Sequence, residues 1–246
     1  MRGVRVGFAM AATKRGSLIE VIDPVPLELD ERELLQTTGS RLLGDSEIAP
    51  LIERCRHLIE PKAVFAFIKV TRIEKDEVRL GSGHTLRSIV LAGMLEHGQT
   101  VVPYVVTIGP GLEKQASEEA KGSVFRSWVL ERLGDHALER ACVYMKSHVK
   151  EALGGDVSSF SPGSGTGKLF GIEQQEVLFQ ILNPPESIGV SLTAGCMMVP
   201  RKSVSGVLAE TRREYVACRY CPRERCENRS EPFSGEYYPL ECQSKV

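Results

Sequence analysis

Three cysteines near the end of the chain have the spacing of a metal or redox site. Cys218, Cys221 and Cys226 form a Cys-x-x-Cys-x-x-x-x-Cys pattern, so their thiols can converge on one ion or cluster. Zinc takes four ligands, and the fourth would be Cys242 or Cys196, because no second Cys-x-x-Cys pair follows. Iron–sulfur clusters are also held by cysteine thiolates. Zinc and an iron–sulfur cluster both fit the pattern, whereas disulfides fit a cytoplasmic chain with an odd cysteine count less well.

A second segment, the Gly-rich turn (residues 161–167), has part of a phosphate-binding pattern. The nucleotide motif needs a glycine five positions before the Gly-Lys pair and a serine or threonine after the lysine. Pro162 stands at that glycine position, and Leu169 follows Lys168. Proline has no N–H to offer a phosphate, and leucine has no hydroxyl for magnesium. We therefore expect no ATP hydrolysis, which leaves a ligand-binding turn or a purely structural one.

A third segment, the Met-Pro loop (residues 197–203), combines methionine, proline and two cations. Met197 and Met198 precede Pro200, and Arg201 and Lys202 follow it. Exposed methionines make an adaptable apolar surface, and cations at its rim would meet phosphate or carboxamide groups of a bound partner. In the alternative interpretation, one of the methionines fills a gap in the core beneath the loop.

Hydrophobic periodicity predicts the elements that position these segments. Apolar residues at helical spacing predict a helix after the Gly-rich turn, and Asn183-Pro184-Pro185 is expected to end it. The turn and the loop then emerge beside paired strands, where binding residues are common. The predicted helices are 31–35, 47–59, 84–95, 113–153 with a break near Gly134, and 173–182; the predicted strands are 18–29, 64–73, 78–80, 101–108, 188–192 and 204–208.

Composition bounds the class of protein. Lys and Arg number 31 against 32 Asp and Glu, a formal net charge of -1, which argues against nucleic acid as the main partner. No apolar run is long enough to span a bilayer, so we expect a cytoplasmic protein without a membrane partner. The polar composition from Arg212 onward predicts two parts: residues 1–211, of which about 1–60 form a lead-in, and a metal-binding cysteine tail, residues 212–246.

The order of four short motifs resembles the activation domain of cobalamin-dependent methionine synthase. In that family a Pro-Gly-Tyr turn is followed by a helix, then Leu-Thr-Glu-Ser, a Met-Pro loop and Ser-Val-Ser-Gly. The corresponding segments here are Pro162-Gly163-Ser164, Leu192-Thr193-Ala194-Gly195, Met198-Val199-Pro200 and Ser203-Val204-Ser205-Gly206. The chain is most similar to the free-standing form of this domain in anaerobes, over nearly its whole length and including the cysteine tail.

This resemblance implies an α+β fold: a mixed or antiparallel sheet with surrounding helices, plus the short cysteine tail. It also implies an accessory subunit for reductive activation of a cobalamin-dependent methyltransferase. Methionine synthase is the first candidate for this methyltransferase. Oxidation leaves such a corrinoid as inactive Co(II), and the module restores the Co(I)/methyl-cobalamin state. The implied partners are a corrinoid-binding protein, which holds the cobalamin, and a reduced electron donor. The alternative is a zinc-stapled docking protein without catalytic function.

The resemblance also assigns cofactor-binding residues, although several neighbouring positions depart from the family. The implied contacts are Ser161, Pro162, Gly163, Met198, Pro200, Ser203 and Ser205. In the family the turn binds S-adenosylmethionine with help from an arginine and a tyrosine. Those positions are Ser159 and Ser164 here, and Ala194 replaces the glutamate of Leu-Thr-Glu-Ser. Because a charge and an aromatic face are lost, we predict weak or absent S-adenosylmethionine binding.

The implied one-electron chemistry bears on the metal of the cysteine tail. Iron–sulfur clusters are redox-active and zinc is not, so the resemblance favours a cluster on Cys218, Cys221, Cys226 and a fourth cysteine. Four arginines would offset the charge of a thiolate-bound cluster or dock an acidic partner: Arg219, Arg223, Arg225 and Arg229.

Overall fold

A computed structural model of the protein describes residues 7–12, 18–29, 48–165, 169–226 and 229–235. For residues 7–12 and Leu18 it describes the backbone alone. Three features of the sequence analysis lie outside these residues: the helix predicted over 31–35, Lys168 and the candidate ligand Cys242. The described residues form an α+β structure in which helices cover an antiparallel sheet, as predicted.

Strand β7 (Thr100–Thr107) lies at the centre of this sheet. One edge pairs with β3 (Lys62–Ala66) and β4 (Ile68–Glu74), and the other pairs with β11 (Ser203–Glu210), all antiparallel. Beyond them the described part of the sheet continues through β1 (Gly7–Ala12) and β2 (Leu18–Asp23) next to β3, β5 (Glu77–Leu80) and β6 (Thr85–Arg87) next to β4, and β8 (Val157–Phe160) next to β11.

Helices pack on both faces of the sheet because β7 is apolar on both. Val101 and Val105 belong to a core that includes Leu178 and Ile181 of one helix, whereas Val102 and Val106 pack with the long helix on the opposite face. The described helices are α1 (Ile48–Cys55), α2 (Ile89–Met94), α3 (Gly111–Glu119), α4 (Val124–Leu153), α5 (Gln174–Leu182) and α6 (Pro184–Ser187). None of them combines the length and apolarity that a membrane span needs.

The long helix α4 differs from the prediction at Gly134. The expected break lies earlier, at residues 120–123, where α3 ends and Ser123 caps α4 by accepting a hydrogen bond from the Arg126 N–H at 3.3 Å. Gly134 is buried inside a continuous helix that ends at Gly154, whose φ is 84°. A glycine in a helical pattern thus marks close packing here, as shown below, rather than a helix end.

Three further predictions are corrected by tertiary pairing. The strand predicted over 64–73 is two strands, because β3 and β4 pair with different stretches of β7. The helix predicted over 84–95 begins only at Ile89, since residues 85–87 form β6 in a hairpin with β5. The strand predicted over 188–192 shrinks to β9 (Ser191–Leu192), which pairs with β10 (Met198–Val199) rather than with the main sheet.

Candidate functional site

The Gly-rich turn begins where β8 ends, and its first residues are tightly constrained. The Gly163 N–H donates to the Phe170 carbonyl at 2.8 Å, and Ser164 Oγ donates to the Ser161 carbonyl at 2.7 Å. Gly163 has a φ of 79°, and a Cβ there would lie 2.7 Å from Cδ1 of Ile172. Only glycine therefore fits this position, because both the backbone conformation and the space exclude a side chain.

A buried tyrosine contacts the end of the strand that leads into the turn. The Tyr104 hydroxyl, on β7, lies 3.0 Å from Ser159 Oγ. Burial, reinforced by the nearby Cys142, raises the pKa of Tyr104 to about 12, although hydrogen bonds to Ser159 and Ser161 oppose the shift. Ser159 stands where the family has an arginine, and its hydroxyl is thus bonded to the sheet interior.

The two methionines of the Met-Pro loop have different roles. Met197 is 59% exposed at the loop of the β9–β10 hairpin, and Val199 beside it is 47% exposed. Met198 packs against the core cluster beneath α5, and Pro200 is buried. The sequence offered two interpretations, an exposed surface for a partner and a methionine that packs against the core. Met197 fits the first and Met198 fits the second.

Two of the three serines implied as cofactor contacts, Ser203 and Ser205, are buried, whereas Ser161 is partly exposed. Ser203 Oγ lies 2.7 Å from the Pro200 carbonyl oxygen and 2.9 Å from Thr107 Oγ1, which joins the end of the loop to the end of β7. Ser205 Oγ has no hydrogen-bond partner among the described residues. Both side chains lie within the fold, whereas Met197 and Val199 form the exposed part of the hairpin.

Arg201 and Lys202 are paired with acids of the same chain, contrary to the expectation that they await a partner's polar groups. Glu113 on α3 binds Arg201 at 2.9 Å, and Glu131 on α4 bridges the two cations at 3.0 and 2.8 Å. Asp135, also on α4, contacts Lys202. Burial alone would raise the pKa of Glu131, but its hydrogen bond to Lys202 and the charges of both cations outweigh burial and lower it.

The base of the cysteine tail packs against the Gly-rich turn. Tyr215 is buried and stacks on Phe160 at a ring-centroid distance of 4.9 Å, and Tyr220 stacks on Tyr215 at 5.9 Å. Tyr220 belongs to a one-turn 3-10 helix, Ala217–Tyr220. Cys221 Sγ then lies 3.6 Å from the Gly165 carbonyl oxygen. Tyr215 therefore anchors the tail in the core, and the thiol of Cys221 contacts the turn.

A single arginine organises the chain around the cysteines. The Arg229 guanidinium donates to the carbonyl oxygens of Cys218 and Cys221, each at 3.2 Å, and also to that of Arg223. Hydrogen bonds from the Ser230 side chain lower the pKa of Cys218, against the opposing effect of burial, with help from backbone N–H groups and the Arg229 charge. The environment of Cys218 thus suits a thiolate.

The described thiols fit a metal only in part. Cys226 is exposed, and Cys196 lies on the hairpin with its Sγ 3.8 Å from Glu176 Oε1. In the part of the chain that the structure describes, no three His, Cys, Asp or Glu side chains are grouped closely enough to hold a metal ion. The geometry therefore provides one favourable thiolate position, and we derive no reaction step through a cluster.

A series of contacts nevertheless connects the three segments, which indicates a shared face of the molecule. Cys221 touches Gly165, Gly163 faces Ile172, and Ile172 lies two residues before α5, whose Glu176 contacts Cys196 next to Met197. Ile172 is 43% exposed, so the series contains a second exposed apolar side chain besides Met197. A separate depression of about 330 Å³ between β5, β6 and α5 contains none of the predicted site residues.

Several residues of this face were missed by the sequence analysis. Ile172 was overlooked because a single apolar residue before a helix has no pattern of its own. The acids that hold the Met-Pro loop lie on α3 and α4, and in the sequence they look like ordinary solvent-exposed charges of a helix surface. Tyr104 lies in the predicted strand 101–108 and Tyr215 in the segment predicted as a polar tail, and only the fold shows that both are buried beside the turn.

Comparison with known proteins agrees with the motif order. The family model described as the activation domain of vitamin B12-dependent methionine synthase matches residues 71–231, a range that includes the Gly-rich turn, the Met-Pro loop and the three closely spaced cysteines. No curated protein matches the chain. A solved structure, the crystal structure of the MetH reactivation domain bound to AdoHcy, is similar with a TM-score of 0.61 and 14% identity, covering 81% of each chain. At that identity the likeness shows the fold.

Proposed function

Because the chain belongs to the activation-domain family of vitamin B12-dependent methionine synthase, we propose that it is an accessory subunit for reductive activation of a corrinoid-dependent methyltransferase. The observation that carries the proposal is the series of contacts that connects the Gly-rich turn, Ile172 and the hairpin that bears Met197, which we take to form one face. Two exposed apolar side chains on such a face suit a flat, largely apolar surface such as a corrin ring.

The partner's corrinoid supplies the methyl-transfer chemistry, and this chain's own residues shape the surface that covers it. Met197 and Ile172 contribute apolar area that excludes water, and Gly163 leaves the space in which Ile172 packs against the turn. Arg201 and Lys202 are neutralised internally, so the covering surface is apolar rather than cationic. We propose that the partner is a methionine synthase or another corrinoid-binding methyltransferase subunit. A reduced electron donor would supply the electron, and we expect the protein in the cytoplasm.

The test is recovery of an oxidised corrinoid protein in a reconstituted system. Met197→Glu puts a charge on the proposed surface and should slow the recovery at least ten-fold. Val143→Glu is the matched control, because Val143 is 47% exposed on α4, outside this face. An unchanged recovery rate in Met197→Glu would show that the face does not cover the corrinoid.

For S-adenosylmethionine we propose weak or no binding. The support is Ser159, whose hydroxyl faces Tyr104, and Ser164, whose hydroxyl is bonded to the Ser161 carbonyl; neither replaces a charged or stacking contact. The missing contacts are worth on the order of 1–3 kcal/mol each. Titration calorimetry that finds micromolar affinity would contradict this proposal, and in that case Gly163→Val should remove the binding by filling the space beside Ile172.

For the cysteine tail we propose an iron–sulfur cluster ahead of zinc, because the proposed reductive activation needs a redox-active centre and zinc is not redox-active. The lowered pKa of Cys218 suits a thiolate ligand of either metal. Anaerobically prepared protein should be brown, with iron and sulfide in proportion to protein. Serine at Cys218, Cys221 or Cys226 should remove the colour, whereas Cys142→Ser, on α4, should not. A colourless, zinc-loaded protein would instead favour the alternative, a zinc-stapled docking protein without an electron-transfer role.

A further inference from the structure

The Met-Pro loop is joined to the helical layer by a closed set of charges. Three acids from α3 and α4 face three cations, so the set is neutral as a whole. The acids are Glu113, Glu131 and Asp135, and the cations are Arg132, Arg201 and Lys202. This set, which we call the loop clamp, joins helices to a loop that follows them by 67 to 88 residues in the sequence.

Glu113 holds the backbone of the loop as well as a side chain. One carboxylate oxygen accepts from the Arg201 backbone N–H at 2.9 Å, and the other accepts from Arg201 Nε at 2.9 Å. Glu131 accepts from the far end of the same guanidinium at 3.0 Å. Charge-assisted hydrogen bonds are roughly twice as strong as neutral ones, and the backbone contact fixes the path of the chain itself.

Lys202 is the most enclosed member of the clamp. Its side chain is only 13% exposed, and its ammonium lies between Glu131 and Asp135. The aliphatic stem passes over Gly134, where a Cβ would lie 3.3 Å from Lys202 Cε. Glycine inside a helix is disfavoured by about 1 kcal/mol relative to alanine. The stem of Lys202 packs closely on this glycine, so an alanine here would require the stem to shift by a few tenths of an ångström.

The same residues are held from a second direction, at the end of β7. The Lys202 carbonyl oxygen accepts from the Ile108 N–H at 3.2 Å and from Thr107 Oγ1 at 3.3 Å. Residues 201–203 are therefore fixed on two sides. Met197 and Val199, a few residues earlier, remain exposed at the end of this fixed base.

We propose that Glu113 and Glu131 are positioning residues that hold the Met-Pro loop in the shape that presents Met197 and Val199. The clamp itself rests on the geometry above; its importance for a corrinoid partner rests on the proposed function. Because every member of the clamp belongs to this chain, the loop does not depend on a partner for its shape and is pre-organised for binding.

Hydrogen exchange followed by mass spectrometry tests the clamp directly. Glu113→Gln and Glu131→Gln each remove one negative charge, and amides of residues 196–203 should exchange at least five-fold faster in both. Glu118→Gln is the matched control, because Glu118 is on α3 and pairs at the surface with Lys121; exchange in the loop should not change. Glu113→Asp keeps the charge and should restore part of the protection. Arg201→Gln tests the same link from the loop side if a helix variant does not fold.

Recovery kinetics then separate the clamp from the proposed function. A loosened loop should raise the apparent KM for the corrinoid protein at least five-fold in Glu113→Gln while kcat stays unchanged, since the loop must be ordered at binding. Unchanged exchange in Glu113→Gln and Glu131→Gln would overturn the clamp. Faster exchange with an unchanged KM would leave the clamp standing and overturn the contact between the loop and the corrinoid partner.

Discussion

The Met-Pro loop and the cysteine tail were both recognised from short motifs, yet the fold holds them in different ways. The loop is fixed by ion pairs to helices that precede it by 67 to 88 residues. The cysteine tail is shaped mainly by its own chain, since Arg229 reaches carbonyl oxygens no more than 11 residues away and Arg219 pairs with Glu231, 12 residues away. Its attachment to the domain includes the buried ring of Tyr215, the contact of Cys221 with Gly165, and an ion pair between Arg212 and Glu96 at 2.8 Å.

This difference bears on what each segment does before a partner or metal is bound. The helices that hold the loop are themselves anchored by a buried cluster containing Leu112, Val129 and Leu133, so the loop has its shape from the start. A segment that is bonded mostly to itself can detach as a unit when a few contacts are lost. We therefore expect the loop to loosen by small steps and the tail to be released as a whole.

The largest effect should come from breaking the attachment of the tail with Tyr215→Ala. Loss of this buried ring should lower the free energy of unfolding by about 3–5 kcal/mol, because the cavity lies between Phe160 and Tyr220. Trypsin should also cleave the arginine-rich tail faster than the rest of the chain. Tyr144→Ala is the control, since Tyr144 stacks on His148 within α4 and should leave the tail protected. A tail that stays resistant in Tyr215→Ala would show that its own contacts suffice.

A smaller effect, about 1 kcal/mol in the free energy of unfolding, should test the contact between Lys202 and Gly134 in the loop clamp. Alanine is favoured over glycine in a helix by about that amount, but in Gly134→Ala the new methyl group would press on Lys202, so little net gain is expected. In a Lys202→Ala background the gain should appear in full. Urea unfolding of the four proteins in this double-mutant cycle measures the coupling. A gain of the same size in both backgrounds would mean that Lys202 does not account for Gly134.

The smallest effect is the pH dependence of stability, which tests whether ion pairs hold the loop. The pKa of Glu131 is lowered in the folded protein, below its ordinary value of 4.5. Its carboxylate therefore stabilises the fold above pH 4.5, and this contribution is lost as the pH falls through the lower, folded value. Glu131→Gln should be less stable than wild type at neutral pH, and the difference should shrink on acidification below pH 4.5. Urea midpoints across the acid range check this, and a constant difference would argue against the charged contact.

Local sequence patterns were sufficient to predict many of the helices and strands. Apolar spacing correctly predicted the helix after the Gly-rich turn, which is observed as Gln174–Leu182, and the central strand, observed as Thr100–Thr107. It also predicted a helix over 47–59, of which Ile48–Cys55 is α-helical. These features are decided within a few residues, because helix and strand periods specify which side chains share a face. The order of four motifs further identified the family.

The sequence by itself thus determined most elements, the family and the three segments that carry the candidate site. Only the tertiary structure decided their partners: Lys202 packs over Gly134 within a continuous helix, Met198 packs against the core while Met197 is exposed, and Arg201 pairs with Glu113. Periodicity shows that a residue is apolar or charged, but not which distant residue it meets. That choice depends on the antiparallel pairing of β7 with β11, which brings the Met-Pro loop beside α3 and α4.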